Sequence, residues 1–97
     1  MKKILYLVQE QGREKHDGDF HTIFHICEDM EEALRLYDKE KLKLFDDKDF
    51  YLRDKLLDYD YFENFNISSN ANELPCLSIE TGWEFYDLYV SEFERNN

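Results

Sequence analysis

Two histidines, His21 and His25, stand four residues apart. On a helix that spacing places two imidazoles one turn apart, which suits zinc. The residues around them, Phe20 to Cys27, are rich in aromatic and β-branched types and read as a strand. On a strand the two rings lie roughly 13 Å apart, too far for one ion. Both are therefore expected to pack on or beside a sheet. Asp17-Gly18-Asp19 and Asp46-x-x-Asp49 look like fragments of calcium-binding loops, but neither has the glycine and the closing glutamate such loops require. Cys27 and Cys76 form no CxxC pair and read as reduced, buried, small apolar residues, with a single disulfide as the alternative. No GxSxG, GxGxxG or GxxxxGK[ST] occurs, and no spacing singles out a catalytic pair among the acids. The expectation is a protein that is not an enzyme and uses no metal or cofactor.

The stretch from Asp46 to Glu63 has a different character. It holds Asp46, Asp47, Asp49, Asp54, Asp58, Asp60 and Glu63, opposed only by Lys48, Arg53 and Lys55. Phe50, Tyr51, Tyr59, Tyr61 and Phe62 lie between the acids. Asp54 and Asp58, read on a helix, are like charges at i,i+4, which costs a few tenths of a kcal/mol. Aspartate is also a mediocre helix former. Carboxylates that steer and tyrosines that anchor would suit a basic partner. The expected partner-binding residues are therefore Asp46, Asp47, Asp49, Asp54, Asp58, Tyr59, Asp60, Tyr61 and Glu63. The competing reading is a solvated face that keeps a small protein soluble.

These residues need elements to hold them. Ile4 to Val8 predicts a strand over about 3–10, Gln11 to Asp19 a polar loop, and Phe20 to Cys27 a second strand. In that second strand Phe20, Thr22, Phe24 and Ile26 take one face, and His21, Ile23, His25 and Cys27 the other. Asp29 with Glu32 three residues on resembles a capping box, and Met30, Ala33, Leu34 and Tyr37 follow at helical spacing. That predicts a helix over about 30–41, which Leu42 to Phe45 either extend or leave. A second helix is expected over about 48–64, then a loop from Asn66 to Glu73 and a strand at Leu77 to Glu80. Residues 83–94 fit strand or helix, and their aromatic and β-branched content favours strand. Trp83, the only tryptophan, is expected in the core rather than as a recognition anchor. The layout is α+β: an N-terminal antiparallel β-hairpin, two helices, and a C-terminal strand or hairpin (ββααββ), in a single domain over residues 1–97.

Composition sets the bounds. The chain has 97 residues, 42% of them apolar and 16% aromatic, which suits a small core and not a disordered acidic tail. Its net charge is −11: residues 1–45 contribute −2 and residues 46–97 contribute −9. Such a charge repels bare nucleic acid and anionic lipid. No apolar run is long enough to span a membrane, and Gln9 ends the first apolar run too early for a signal-peptide core. A cytoplasmic protein is expected.

The strand–strand–helix pattern over Met1 to Lys41, ending in Glu28-Asp29-Met30-Glu31-Glu32-Ala33-Leu34, resembles small phage and mobile-element proteins. The aromatic, acid-rich stretch from Asp46 to Glu63 is similar in character to phage inhibitors of host defence, including anti-CRISPR and DNA-mimic anti-restriction proteins. The resemblance lies in size, charge and layout. It implies stoichiometric inhibition in the host cytoplasm, with carboxylates occupying a groove built for phosphates. DNA presents about one charge per 1.7 Å of axis, and the near-neutral N-terminal half argues for a local acidic plug over mimicry of a long duplex. The implied partner is a basic protein, a nuclease or a nucleic-acid-binding complex, with no direct nucleic acid and no membrane. Two alternatives stand beside it. One is an assembly module that forms a homodimer through a β-edge or an apolar helix face. The other is a toxin-neutralising immunity protein.

Overall fold

A computed structural model describes residues 2–67 and 72–96. Seven elements follow in order: β1 (Lys2–Glu14), β2 (Gly18–Cys27), α1 (Met30–Asp46), α2 (Arg53–Leu57), β3 (Tyr61–Ile67), β4 (Glu73–Glu80) and β5 (Phe85–Asn96). The five strands form one antiparallel sheet in the order β2-β1-β5-β4-β3. α1 crosses one face of that sheet, burying Ala33, Tyr37 and Leu44 against Val8, Leu77, Leu88 and Val90. Leu56 of α2 and Phe50 and Leu52 of the preceding loop complete the core. No helix among the described residues is long and apolar enough to cross a membrane.

The predicted α+β class and N-terminal hairpin match this architecture, and the finer layout is corrected. β1 continues to Glu14 through residues expected in a loop. Its polar segment Gln9–Arg13 is held by ladders on both sides, to β2 and to β5. Pairing of the backbone outweighs the loss of apolar character there. α1 takes in Leu42 to Phe45 and ends at Asp46. Asp29 is its N-cap, accepting from the Glu31 N–H at 3.1 Å, while Glu32 turns to Arg35 instead of closing a capping box.

The second helix over 48–64 is not formed. Only Arg53–Leu57 is helical, and Tyr61–Ile67 is a strand with no counterpart in the expected layout. Tyr59, at φ 61°, turns the chain between them. Residues 83–94 lie in or beside β5, the strand alternative. The expected Asn66–Glu73 loop is taken up at its ends by β3 and β4, and residues 68–71 lie outside the described ones. The simple alternation predicted for β2 fails because its ladder with β1 shifts register between Val8 and Gln9. That bulge puts Cys27 and His25 on the same sheet face as Thr22 and Phe20.

Two consequences matter for the surface. Pro75 lies in β4 between two neighbours, and the ladder of β4 with β5 stops at Cys76↔Tyr89, next to it. Proline has no N–H to continue that ladder, so the two strands part there. Trp83, expected in the core, is 79% exposed in the turn joining β4 to β5. The Thr81 hydroxyl organises that turn, accepting from the backbone N–H of Trp83 and of Glu84. Local hydrogen bonding therefore fixes the tryptophan outside.

Candidate functional site

The nine residues expected to bind a partner separate into three groups. Asp46 ends α1, Asp47 caps it, and Asp49 follows in the loop, all exposed. The Asp47 carboxylate accepts from the Asp49 N–H at 3.0 Å, which holds the loop in a tight turn. Asp54, Asp58, Tyr59 and Asp60 lie on or just after α2. There Asp60 pairs loosely with Lys55 at 3.8 Å. Tyr59 is 81% exposed, in the left-handed region, and stacks on Tyr61 at 6.5 Å.

The third group belongs to the fold. Tyr61 is half-buried, edge-on to Phe45. Glu63 accepts from the Tyr37 hydroxyl at 2.8 Å and pairs with Lys41 at 2.6 Å. Burial and the Glu63 charge together raise the Tyr37 pKa far above that of a free phenol. Tyr61 and Glu63 are thus both engaged with α1.

The first group is joined by residues the sequence reading passed over. Glu10 and Glu14 of β1 stand with Asp47 and Asp49 around a cleft of about 240 Å³. Its floor is aromatic. Phe20 lies edge-on to Tyr51, Phe50 lies edge-on to Tyr51 and to Tyr86, and Phe20 is tilted over Tyr86. Gly12 is what lets these rings close in. A Cβ there would stand 2.6 Å from Phe20 Cζ, 2.6 Å from the Tyr51 oxygen and 2.7 Å from the Phe85 carbonyl oxygen. The Tyr51 hydroxyl donates to that carbonyl, and the Tyr86 hydroxyl donates to Glu10 at 2.8 Å.

Among the described residues no lysine or arginine lines this cleft. Lys43, which lines an adjoining depression with Glu10, Glu40 and Asp47, is already paired with Glu40 at 3.1 Å. The negative field registers on neighbouring groups. The Glu14 pKa is raised, first by a hydrogen bond to Asp17 and also by the charges of Asp17 and Glu84. Burial raises the Tyr51 and Tyr86 phenols, and Glu14 and Glu10 add to it respectively.

A signal for the missed pair was present. Glu10, Gly12 and Glu14 are spaced by two, so on a strand they share one face. Only the assumption that β1 ended near residue 10 hid it. The histidines take the structural role expected of them. The His21 Nε2–H donates to Gln9 Oε1 at 2.6 Å, and His25 Nε2 lies 3.3 Å from Glu40. Both cysteines are free, Cys27 buried and Cys76 half-buried, with thiol pKa values raised chiefly by burial. No family profile, curated protein or solved structure matches the chain.

Proposed function

We propose that the protein is a stoichiometric inhibitor that docks on a basic, nucleic-acid-handling protein, as the resemblance to phage inhibitors of host defence implies. The cleft at Glu10, Glu14, Asp47 and Asp49 receives a lysine or arginine side chain of the partner. The flank at Asp46, Asp54, Asp58, Tyr59 and Asp60 extends the contact. One observation carries this reading: four carboxylates, two from β1 and two from the end of α1 and the loop after it, converge on an aromatic floor with no cation among the described residues that line the cleft.

The chemistry of the cleft is that of a cation receptor. A guanidinium or ammonium over an aromatic face gains about 0.5–2 kcal/mol. Carboxylates at the rim add charge-assisted hydrogen bonds. The strained backbone at Tyr59 also supports docking, because a non-glycine residue at positive φ costs on the order of 1 kcal/mol and here holds out an exposed ring.

The test compares the wild type with a variant carrying Glu10→Gln, Glu14→Gln, Asp47→Asn and Asp49→Asn. Each amide keeps an oxygen that can accept the existing hydrogen bonds, so the fold is preserved. A control with Glu31→Gln, Asp38→Asn, Glu73→Gln and Glu80→Gln removes the same charge from exposed sites elsewhere. Nuclease-treated host lysate is passed over each protein at rising salt. Nucleic-acid-binding proteins are expected on the wild type and the control, and to be lost from the cleft variant by at least about tenfold. Equal capture by all three at low salt would overturn the reading.

A further inference from the structure

Beyond the docking cleft, we propose that the outer edge of β3 pairs with β3 of a second copy of this chain, joining two five-stranded sheets into one. β3 ends the sheet, and its ladder to β4 runs unbroken from Tyr61↔Ile79 to Ile67↔Glu73. Proteins protect such edges with lysine, proline, bulges or a covering element. β3 has no lysine, arginine, proline or bulge, and it exposes Phe62 at 73%, Phe65 at 58% and Ile67 at 73%. The opposite edge, β2, carries Asp19, His21 and His25 and contains the register shift.

Charge selects the occupant. Each copy carries −11, so two copies can meet only where neither presents an uncompensated charge. Glu63 is the one carboxylate in β3, and Lys41 and the Tyr37 hydroxyl already hold it. The cleft that takes a basic side chain lies on the β1–β2 side of the sheet, away from β3, and the docking flank adjoins β3 only at its Tyr61 end, where Asp60 pairs with Lys55. The strand is also self-complementary. An antiparallel pair about a two-fold axis through Asn64 uses all seven residues. It sets Tyr61 opposite the partner's Ile67, Glu63 opposite the partner's Phe65, and Asn64 opposite its own copy. That register keeps the two Glu63 carboxylates apart, whereas an axis through Glu63 would set them face to face. The two Asn64 amides can donate to and accept from one another.

Sedimentation equilibrium over about a hundredfold range of protein concentration reads the result. The weight-average mass is expected to rise from the monomer value of 11.9 kDa toward twice that. Added salt strengthens this association by screening the net repulsion, while it weakens docking at the cleft. Asn64→Lys sets two like charges opposite each other and is expected to abolish the rise, with the circular dichroism spectrum unchanged. In a Cys76→Ser background, which removes the thiol facing residue 64 across the β3–β4 ladder, Asn64→Cys is expected to give a disulfide-linked dimer under mild oxidation, because directly opposed strand residues fall within disulfide reach. Neither Asn66→Cys nor Cys76→Ser alone should do so. A mass fixed at 11.9 kDa at every concentration overturns the proposal. So does a dimer that persists in Asn64→Lys, or an Asn64→Cys, Cys76→Ser protein that does not cross-link.

Discussion

Gly12 is the residue on which the cleft and the sheet both depend, and Gly12→Ala tests that dependence. The added methyl would lie under 3 Å from Phe20 Cζ, the Tyr51 oxygen and the Phe85 carbonyl oxygen. The phenylalanine and tyrosine rings have some freedom to turn away, but the carbonyl belongs to Phe85, which the β1–β5 ladder holds opposite Arg13, and cannot. Overpacking of this kind costs about 1–3 kcal/mol. Displacing the Tyr51 hydroxyl from the Phe85 carbonyl adds about 1 kcal/mol. The reduced freedom of the unfolded alanine chain returns about 0.4–1 kcal/mol. The net is a destabilisation of about 1–3.5 kcal/mol. In a domain of this size 1 kcal/mol moves Tm by about 4–8 °C, so a fall of at least about 4 °C is expected by calorimetry. Gly82→Ala is the control, because a Cβ there meets nothing within 4 Å. Its Tm should not fall, and the reduced freedom of the unfolded chain raises it by up to about 8 °C. An unchanged or raised Tm in Gly12→Ala would refute the close packing of rings on the β1 backbone.

Glu63→Ala should cost about 1–2 kcal/mol in urea unfolding, because it strands the buried Tyr37 hydroxyl and Lys41. A value within experimental error of the wild type would show that Glu63 is not part of the fold. The Tyr37, Tyr51 and Tyr86 phenols all have pKa values raised above the ordinary 10.0, in each case first by burial. In the unfolded chain these groups lose protons near pH 10 while the folded protein keeps them. Their contribution to stability is therefore complete below that pH and is lost as pH rises above it. Unfolding midpoints in urea should fall steeply with alkali beyond pH 10, and ultraviolet titration should show part of the tyrosine absorbance ionising only together with unfolding. Reversing Asp54, Asp58 and Asp60 to Lys should slow association with the captured partner and flatten its salt dependence, with a smaller effect on dissociation than the cleft variant has. An unchanged association rate would remove this flank from the docking surface.

The hairpin, the first helix and its cap were legible because each has a strong local signal: an apolar run, an Asp-led acidic first turn, and apolar residues at helical spacing. The acid-rich stretch was legible as a composition and misread as a structure. Phe50 to Phe65 supports a helical pattern locally, yet Tyr61, Glu63 and Phe65 at steps of two also share one face of a strand. Pairing with β4 decides between the two patterns, and no window of sequence contains it. The same holds for β1, where Gln9 and Gln11 look like loop residues. In the fold Gln9 is only 6% exposed, receiving a hydrogen bond from His21 and donating one to Ser91. Gln11 donates to Asp87 at 2.9 Å and accepts from Tyr89 at 3.4 Å. These amides bridge β1 to strands as much as 82 residues away in sequence. Of the candidate site, Asp47 and Asp49 could be picked out from charge alone. Glu10 and Glu14 could not, because their role depends on the length of β1 and on a loop that crosses over Gly12.

The central claim is that the cleft binds a cationic side chain, and nitrogen–proton correlation spectra during titration with an arginine-rich peptide test it most directly. Shifts are expected to concentrate at Glu10, Gly12, Glu14, Asp47, Asp49 and Tyr51. They should disappear in about 1 M salt, where charges are screened within roughly 3 Å. They should also disappear in the four-fold amide variant. Shifts spread evenly over acidic residues around the whole surface, such as Glu31, Asp38 and Glu80, would contradict the account.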